Sequence, residues 1–451
     1  RKFWRLFRPA RKCARRCARH RPAVRHRSRR HGGRRTHRGD PPRAGARRRN
    51  RPCRRRAPAM KIKSLETLMA NAGQRNYLFV RLTTDTGLTG IGEATLEWQE
   101  KAVEVLLNEW VASRILGKDP FDIEAVVGDM IRDQYQGGST VMTAISAAEI
   151  AMWDIIGKST REPVYRLIGG RAKPTLHAYA NGWYGGCVEP QDFARRAREV
   201  VALGYRAMKF DPFVTAWKFL GAEEERHAVA VVDAVAQAAG PDIGLMIEIH
   251  GRLAAGDAIR FMRRLQSGSH NIHWCEEPVA PESLDLLKEV KAATSLPVSS
   301  GERLYAMADF SRLIGLRACD VVQMDVAHCG GISAAKKVAN LAATQDIAVS
   351  PHCSIGPVAL AAALHFAWST PNMLMLESFA EFDVDWRNDL VSGWNPLRKG
   401  SFALPDKPGL GIELDEAAIA AHPYKPLAFP SLWDRTWIDE FTGTAKLAAK
   451  A

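Results

Sequence analysis

Glutamate, aspartate and histidine residues stand at the ends of six successive apolar runs. They are Glu248 and His250 (IGLMIEIH), Glu276 (NIHWCEE), Glu302 (LPVSSGE), Asp325 (CDVVQMD), His352 (IAVSPH) and Glu377 (NMLMLE). Brought together, Glu248, Glu276 and Glu302 would repel one another and raise each other's pKa values unless a cation sat between them. An all-oxygen set favours Mg2+, which keeps positions open for water or substrate. His250 lies two residues past Glu248, so in an extended strand both side chains project to one side and an imidazole falls beside the metal. Asp325 could bond one nitrogen of His352, fix its tautomer and make it a general base. Glu377 is a candidate to hydrogen-bond a substrate oxygen. Lys209, in AMKFDPF, is a candidate to neutralise a substrate carboxylate, and Asp211 projects to the same side. Taken singly, each acid could equally be a helix cap, and Lys209 a strand-end ion pair.

The spacing argues against that plainer reading. From Glu248 onward the steps are 28, 26, 23, 27 and 25 residues. That is about the length of one βα unit: a short strand, a helix of roughly ten to fourteen residues and two loops. In a (β/α)8 barrel the C-terminal ends of all strands open onto one mouth, so residues distant in sequence converge there. Strands are expected near 176–181, 206–211, 244–250, 272–277, 296–302, 320–325, 346–352 and 373–377. Ahead of them, KIKSLETLMA and NYLFVRLTTDTG read as strands and TGLTGIGEA as turn-rich. Helical periodicity follows at 99–116, 121–134 and 141–158. The fold class is therefore α/β, a (β/α)8-type barrel with an α+β N-terminal capping domain completed by the C-terminal segment. The divisions are residues 1–59, a cap over 60–172, a barrel over 173–392 and a C-terminal segment over 393–451 that packs on the cap.

Charge divides the chain at Met60. Residues 1–59 carry 25 Lys/Arg against one acid, Asp40, a net of +24; the remainder holds 39 Lys/Arg and 48 acids, a net of −9. The overall +15 thus belongs to the tail alone, and so would any nucleic-acid binding. The tail has too few apolar residues to fold and no apolar core of a secretory signal. It reads as a disordered Arg-rich extension, with a non-native origin weighed ahead of a functional basic arm or a targeting peptide. No run approaches 18 consecutive apolar residues, so no membrane span is expected. Cys187, Cys275, Cys319, Cys329 and Cys353 show no CxxC pairing, which fits reduced thiols in a cytoplasmic protein.

The motifs AEIAMWDIIGK, YANGWY, KFDPF, the E-x-H-G-R of Glu248 to Arg252, EEPV, GERL, the run from Asp325 to GGI, and PHCSIGP resemble the enolase superfamily. The resemblance is to its mandelate racemase-like branch, and more closely to acid-sugar dehydratases acting on gluconate or galactonate. It covers the chain from about Met60 to about Ala420. Enzymes of this superfamily use a Lys or His base, with one or two Mg2+ ions stabilising an ene-diolate. The resemblance implies Mg2+ held by Glu248, Glu276 and Glu302, with the following Glu277 not a ligand. It also implies α-proton abstraction by His352 backed by Asp325, protonation of the departing 3-hydroxyl by His250, and a 2-keto-3-deoxy product. A small-molecule sugar-acid substrate and a homo-oligomer are further implications.

Two departures stand out. Many relatives carry Asp where Glu248 stands, and racemases of the branch carry a second Lys where Asp211 stands. Racemisation needs a group on each face of the α-carbon, so the missing Lys favours elimination. Substrate contacts are expected from Lys209, Asp211, Asn181, Tyr184 and Arg303, with Trp183 packing as readily as lining the mouth. Gln74 and Asn76 of the cap are candidates to read distal hydroxyls. A cycloisomerase or epimerase on the same scaffold is the alternative, and a nucleic-acid-binding protein acting through the tail a distant one. Incubation with aldonic acids separates the enzymatic readings, because only dehydration yields a semicarbazide-reactive 2-keto acid.

Overall fold

The computed structural model describes residues 60–427, apart from Val214 and residues 394–396. The expectations for residues 1–59 and for the chain past residue 427 lie outside the described residues. Strand β1 (Ile62–Asn71) pairs antiparallel with β2 (Asn76–Thr84), and β2 with β3 (Thr89–Glu93). The third strand occupies the segment that the sequence presents as turn-rich. Its glycines are there for packing: a Cβ on Gly90 would lie 2.2 Å from the carbonyl oxygen of Ala151, and one on Gly92 2.0 Å from that of Ala147. Spaced two apart, they share a face on which the helix Ser139–Thr160 runs backbone to backbone against the strand. That helix is long and apolar enough to cross a bilayer, but 83% of its apolar window is buried inside the protein. It is a core helix.

Eight parallel strands follow at the expected places, several of them shorter than expected. They are β4 (Leu176–Ala180), β5 (Ala207–Phe210), β6 (Gly244–Glu248), β7 (Ile272–Glu276), β8 (Val298–Ser300), β9 (Val321–Val322), β10 (Ala348–Val349) and β11 (Leu376–Ser378). They pair in sequence order from β4 to β10, and β11 returns to pair in parallel with β4. Between β10 and β11 the connection is a single parallel bridge, Val349 to Met373. The sheet therefore curls until its last strand lies beside its first. Helices cover the outer face, burying side chains such as Val231, Phe261, Leu287, Phe310 and Val338. Inside, Tyr179, Ala207, Met246, Trp274, Val321, Ala348 and Met375 form a separate apolar layer. Two residues further along, the same inward parity presents Asn181, Lys209, Glu248, Glu276, Gln323, Ser350 and Glu377.

Two carboxylates of the N-terminal segment fix barrel helices by their ends. Glu93 accepts the N–H groups of Gly356 (2.7 Å), Val358 (3.0 Å) and Ala359 (2.9 Å), at the start of the helix Pro357–Trp368. Glu149 accepts those of Ile332 and Ser333 (both 2.8 Å), at the start of the helix Gly331–Ala343. These N–H groups have no partner within their own helix, and the helix dipole favours an anion there. The returning chain also touches the cap: Asn71 N–H bonds the carbonyl of His422 at 2.7 Å, and His422 stacks on Trp386.

The close approach of β3 to its helix gives a first prediction. Gly92→Ala should destabilise the protein by about 1–3 kcal/mol or more through overpacking against backbone, read as a lower urea midpoint.

Candidate metal and acid–base site

Carboxylate oxygens of Glu248, Glu276 and Glu302 lie within 4.8 Å of one another. Glu248 and Glu276 end adjacent strands in register, both buried. Glu302 gets there differently. Ser299 faces inward with Glu276, so strict alternation would send Glu302 outward; Gly301, at φ +136°, interrupts the alternation. Glu276 is pinned by Trp274 Nε1–H (3.1 Å) and Gln323 Nε2–H (2.6 Å) on one oxygen. Lys209 Nζ donates to its other oxygen at 2.6 Å. Glu248 Oε2 is buried and accepts no hydrogen bond, although Lys209 Nζ lies 3.0 Å away. Burial and the neighbouring Glu248 push the Glu276 carboxyl well above its ordinary range. Against burial, Lys209 and His250 hold Glu248 well below it. Three converging carboxylates, two of them ion-paired to the single ammonium of Lys209, fit a small hard cation such as Mg2+.

His352 Nδ1–H donates to Asp325 Oδ2 at 2.7 Å, and Nε2 lies 3.8 Å from Glu302. Asp325 is fixed in turn by the N–H of Ala327, 2.7 Å from Oδ1. Burial opposes a charged imidazole, but Glu302, Glu377 and the Asp325 bond raise the pKa of His352 well above the ordinary value. His250 Nδ1 lies 2.7 Å from Asp211 Oδ2, and its backbone N–H bonds Glu248 Oε1 at 2.8 Å. Burial lowers its pKa, and Glu248 and Asp211 outweigh burial to raise it. His250 follows β6 and His352 follows β10, four strands apart in the sheet order.

The expected substrate contacts fare unevenly. Lys209 is buried among Glu248, Glu276 and Glu377, with its Nζ 3.0 Å from Glu377 Oε1, so its ammonium already serves three carboxylates. Glu377 also accepts from Asn181 Nδ2 (2.7 Å) and from the N–H of Cys353 (2.6 Å). It thereby ties the end of β11 to the residue after His352. Asp211 is occupied by His250, by Arg252 and by the N–H of Phe213. Arg303 pairs with Glu277, whose carboxyl burial pushes up to about 7 despite that partner. Tyr184 stacks on Phe193, and burial together with Asp211 and Glu248 raises its hydroxyl pKa well above the ordinary value. Trp183 is packed, its indole N–H on the carbonyl of Lys209. One expectation is corrected outright: Asn76 is 1% exposed and binds Asn71 and both backbone groups of Lys425, so it reads no sugar hydroxyl. In that loop Arg75 reaches the barrel instead, donating to the carbonyl of Ser354 at 2.6 Å. Trp274 and Gln323 escape a reading based on acids and imidazoles, although each stands two residues before a functional acid and so shares its face.

Residues 192–418 match the family described as enolase C-terminal domain-like. Residues 51–169 match the mandelate racemase / muconate lactonizing enzyme N-terminal domain. D-gluconate dehydratase of Thermoproteus tenax is 33% identical over 363 residues, 80% of this chain and 72% of that protein. D-gluconate/D-galactonate dehydratase of Picrophilus torridus is 37% identical over 341 residues, 75% of this chain and 86% of that one. The crystal structure of mandelate racemase/muconate lactonizing enzyme from Jannaschia sp. CCS1 superposes with a TM-score of 0.74 at 32% identity, covering 81% of this chain and 98% of that one. The capped, curled parallel sheet with acids and imidazoles at its C-terminal strand ends is thus a TIM-type architecture with an N-terminal cap. The chain belongs to the mandelate racemase / muconate lactonizing enzyme family of the enolase superfamily.

Lys209→Met should remove the buried counter-charge and destabilise the metal-free protein by about 3–5 kcal/mol. Excess Mg2+ should recover part of that loss in urea unfolding. Equal losses with and without Mg2+ would separate Lys209 from the cluster.

Proposed function

We propose that the chain is a Mg2+-dependent hydro-lyase that dehydrates a sugar acid, an aldonate such as gluconate or galactonate, to a 2-keto-3-deoxy acid. The observation that carries this reading is the pair of carboxylate-backed imidazoles, His352 and His250, at the strand ends that also bear one carboxylate cluster. The names of the relatives support the same class of reaction. A closed barrel is the proposed scaffold, supported by the single bridge between Val349 and Met373, and the thiols of Cys275, Cys319, Cys329 and Cys353 are free and buried, as suits the cytoplasm.

Bound by Glu248, Glu276 and Glu302, Mg2+ would neutralise the substrate carboxylate and make the α-proton acidic. His352 takes that proton on Nε2, while Asp325 on Nδ1 holds the tautomer and steadies the imidazolium. His250 gives a proton to the departing 3-hydroxyl, which leaves as water. The resulting enol ketonises to the 2-keto acid. Lys209 keeps Glu276 and Glu377 in place and offsets part of their charge. Arg75 closes the cap loop onto the segment that follows His352, so that cap loops around Gln74 face the substrate's distal end. Elimination is preferred to racemisation because Asp211, a hydrogen-bond acceptor for His250, stands where a second lysine base would be needed.

His352→Asn should abolish both dehydration and α-proton exchange in D2O. His250→Asn should lower dehydration by roughly 10²–10⁴-fold while leaving exchange measurable. Semicarbazide detection of 2-keto product and NMR of C2 deuteration read the two. Turnover that survives the first change would remove the base assignment, and exchange lost in the second would mean that the roles are confused. A screen of aldonates and aldarates, with and without chelator, tests the reading itself: no Mg2+-dependent 2-keto product from any of them would overturn it.

A further inference from the structure

The two imidazoles are held by the same device. In each case an aspartate at a strand end bonds its own i+2 backbone N–H through Oδ1 and offers Oδ2 to histidine Nδ1. For Asp325 the distances are 2.7 Å to Ala327 N and 2.7 Å to His352 Nδ1. For Asp211 they are 2.8 Å to Phe213 N and 2.7 Å to His250 Nδ1. Both carboxylates are buried, at 5% exposure for Asp211 and 2% for Asp325. Arg252, itself buried, adds a bond to Asp211 Oδ2. With Nδ1 engaged, Nε2 is the nitrogen that His250 can present to the mouth, where its side chain keeps 24% of its exposure. The backbone of His250, at φ +52°, is fixed separately by Glu248, so the ring's orientation about its own bonds is left to Asp211.

We propose that Asp211 is a positioning residue that holds the His250 ring with Nε2 toward the substrate, making the site a pair of equivalent carboxylate–imidazole units rather than one such unit and a lone histidine. The proposal rests on His250 being the acid of the proposed dehydration. A group that orients only the acid should matter for loss of the hydroxyl and much less for removal of the α-proton.

The test uses Asp211→Asn, with Asp211→Glu as a second variant in case the first does not fold. Dehydration by Asp211→Asn should fall about 10–100-fold, as for other residues that orient an active group. The ratio of α-proton exchange to dehydration should rise at least about tenfold, and Asp211→Glu should regain part of the lost dehydration. The double variant with His250→Asn should be no slower than His250→Asn alone, because the two act as one unit. Equal loss of exchange and dehydration, or additive losses in the double variant, would overturn the proposal. A spectroscopic readout separates this from the function itself. In 15N-histidine NMR, at a pH high enough to neutralise the ring, His250 should keep its remaining proton on Nδ1 in the parent chain and lose that preference in Asp211→Asn. An unchanged tautomer overturns the proposal even if the enzyme dehydrates aldonates. A lost tautomer preference supports it even if the aldonate screen is blank, which would count against the function alone.

Discussion

Like-charge repulsion at the mouth is the constraint on which the rest depends. With all three ionised, each pair among Glu248, Glu276 and Glu302, whose oxygens lie within 4.8 Å, would repel by about 3–4 kcal/mol at an effective dielectric near 20. Three such pairs together approach the stability of a whole domain, roughly 5–15 kcal/mol. Glu377 adds a fourth acid within 3.0 Å of Lys209. Lys209 answers only part of this. Burial disfavours its ammonium, yet the three carboxylates hold its pKa well above the ordinary value. One ammonium shared among Glu248, Glu276 and Glu377 leaves net negative charge at the cluster, which a divalent ion would offset. The same charges that threaten the fold are the ones that would hold a metal.

Holding such a cluster open requires a rigid frame, and the cap supplies it through buried charge. Asp325 lies five residues before Gly330, and His352 four before Gly356. Each of these loops runs into a helix whose exposed N–H groups are bound by a cap carboxylate, Glu149 in one case and Glu93 in the other. Burial pushes Glu149 up to about 7, and the bonds from Ser333, Ile332 and Trp153 work against that rise. Removing the cap would leave these donors and acids unpaired, so the loops that carry Asp325 and His352 depend on it for these bonds. Ser146 extends the clamp, its hydroxyl accepting the N–H of Gly330 at 2.8 Å.

Much of this was legible from the amino-acid sequence because strand periodicity is local and the acids recur at one point of the repeat. The eight strands, the three clustered glutamates and the His352–Asp325 pair all follow from that regularity. What escaped was non-local. Asn76 looks like a polar reader in a cap loop, but its partner Lys425 lies 349 residues away. Gly90 and Gly92 look like turn residues because nothing in the sequence reveals the helix backbone against them. Glu302 was placed correctly by spacing, yet its route depends on the positive φ of Gly301. Asp211 could be put on the right side of its strand by parity alone, but not onto His250, 39 residues on.

The choice of Asp at 211 has a physical logic that involves Arg252. The guanidinium of Arg252 is 1% exposed, lies over the Phe213 ring at 5.5 Å and bonds Asp211. A lysine at 211 would set two buried cations against each other beside an imidazole, an arrangement costing several kcal/mol. With Asp211 present, the same arginine instead anchors the carboxylate by a direct bond. Arg252 and Asp211 are thus a coupled choice: once a buried arginine follows the E-x-H-G run, the neighbouring strand end must supply an anion. An anion there can orient an imidazole but cannot serve as a second amine base, so under the proposed function this pair favours one-sided proton abstraction.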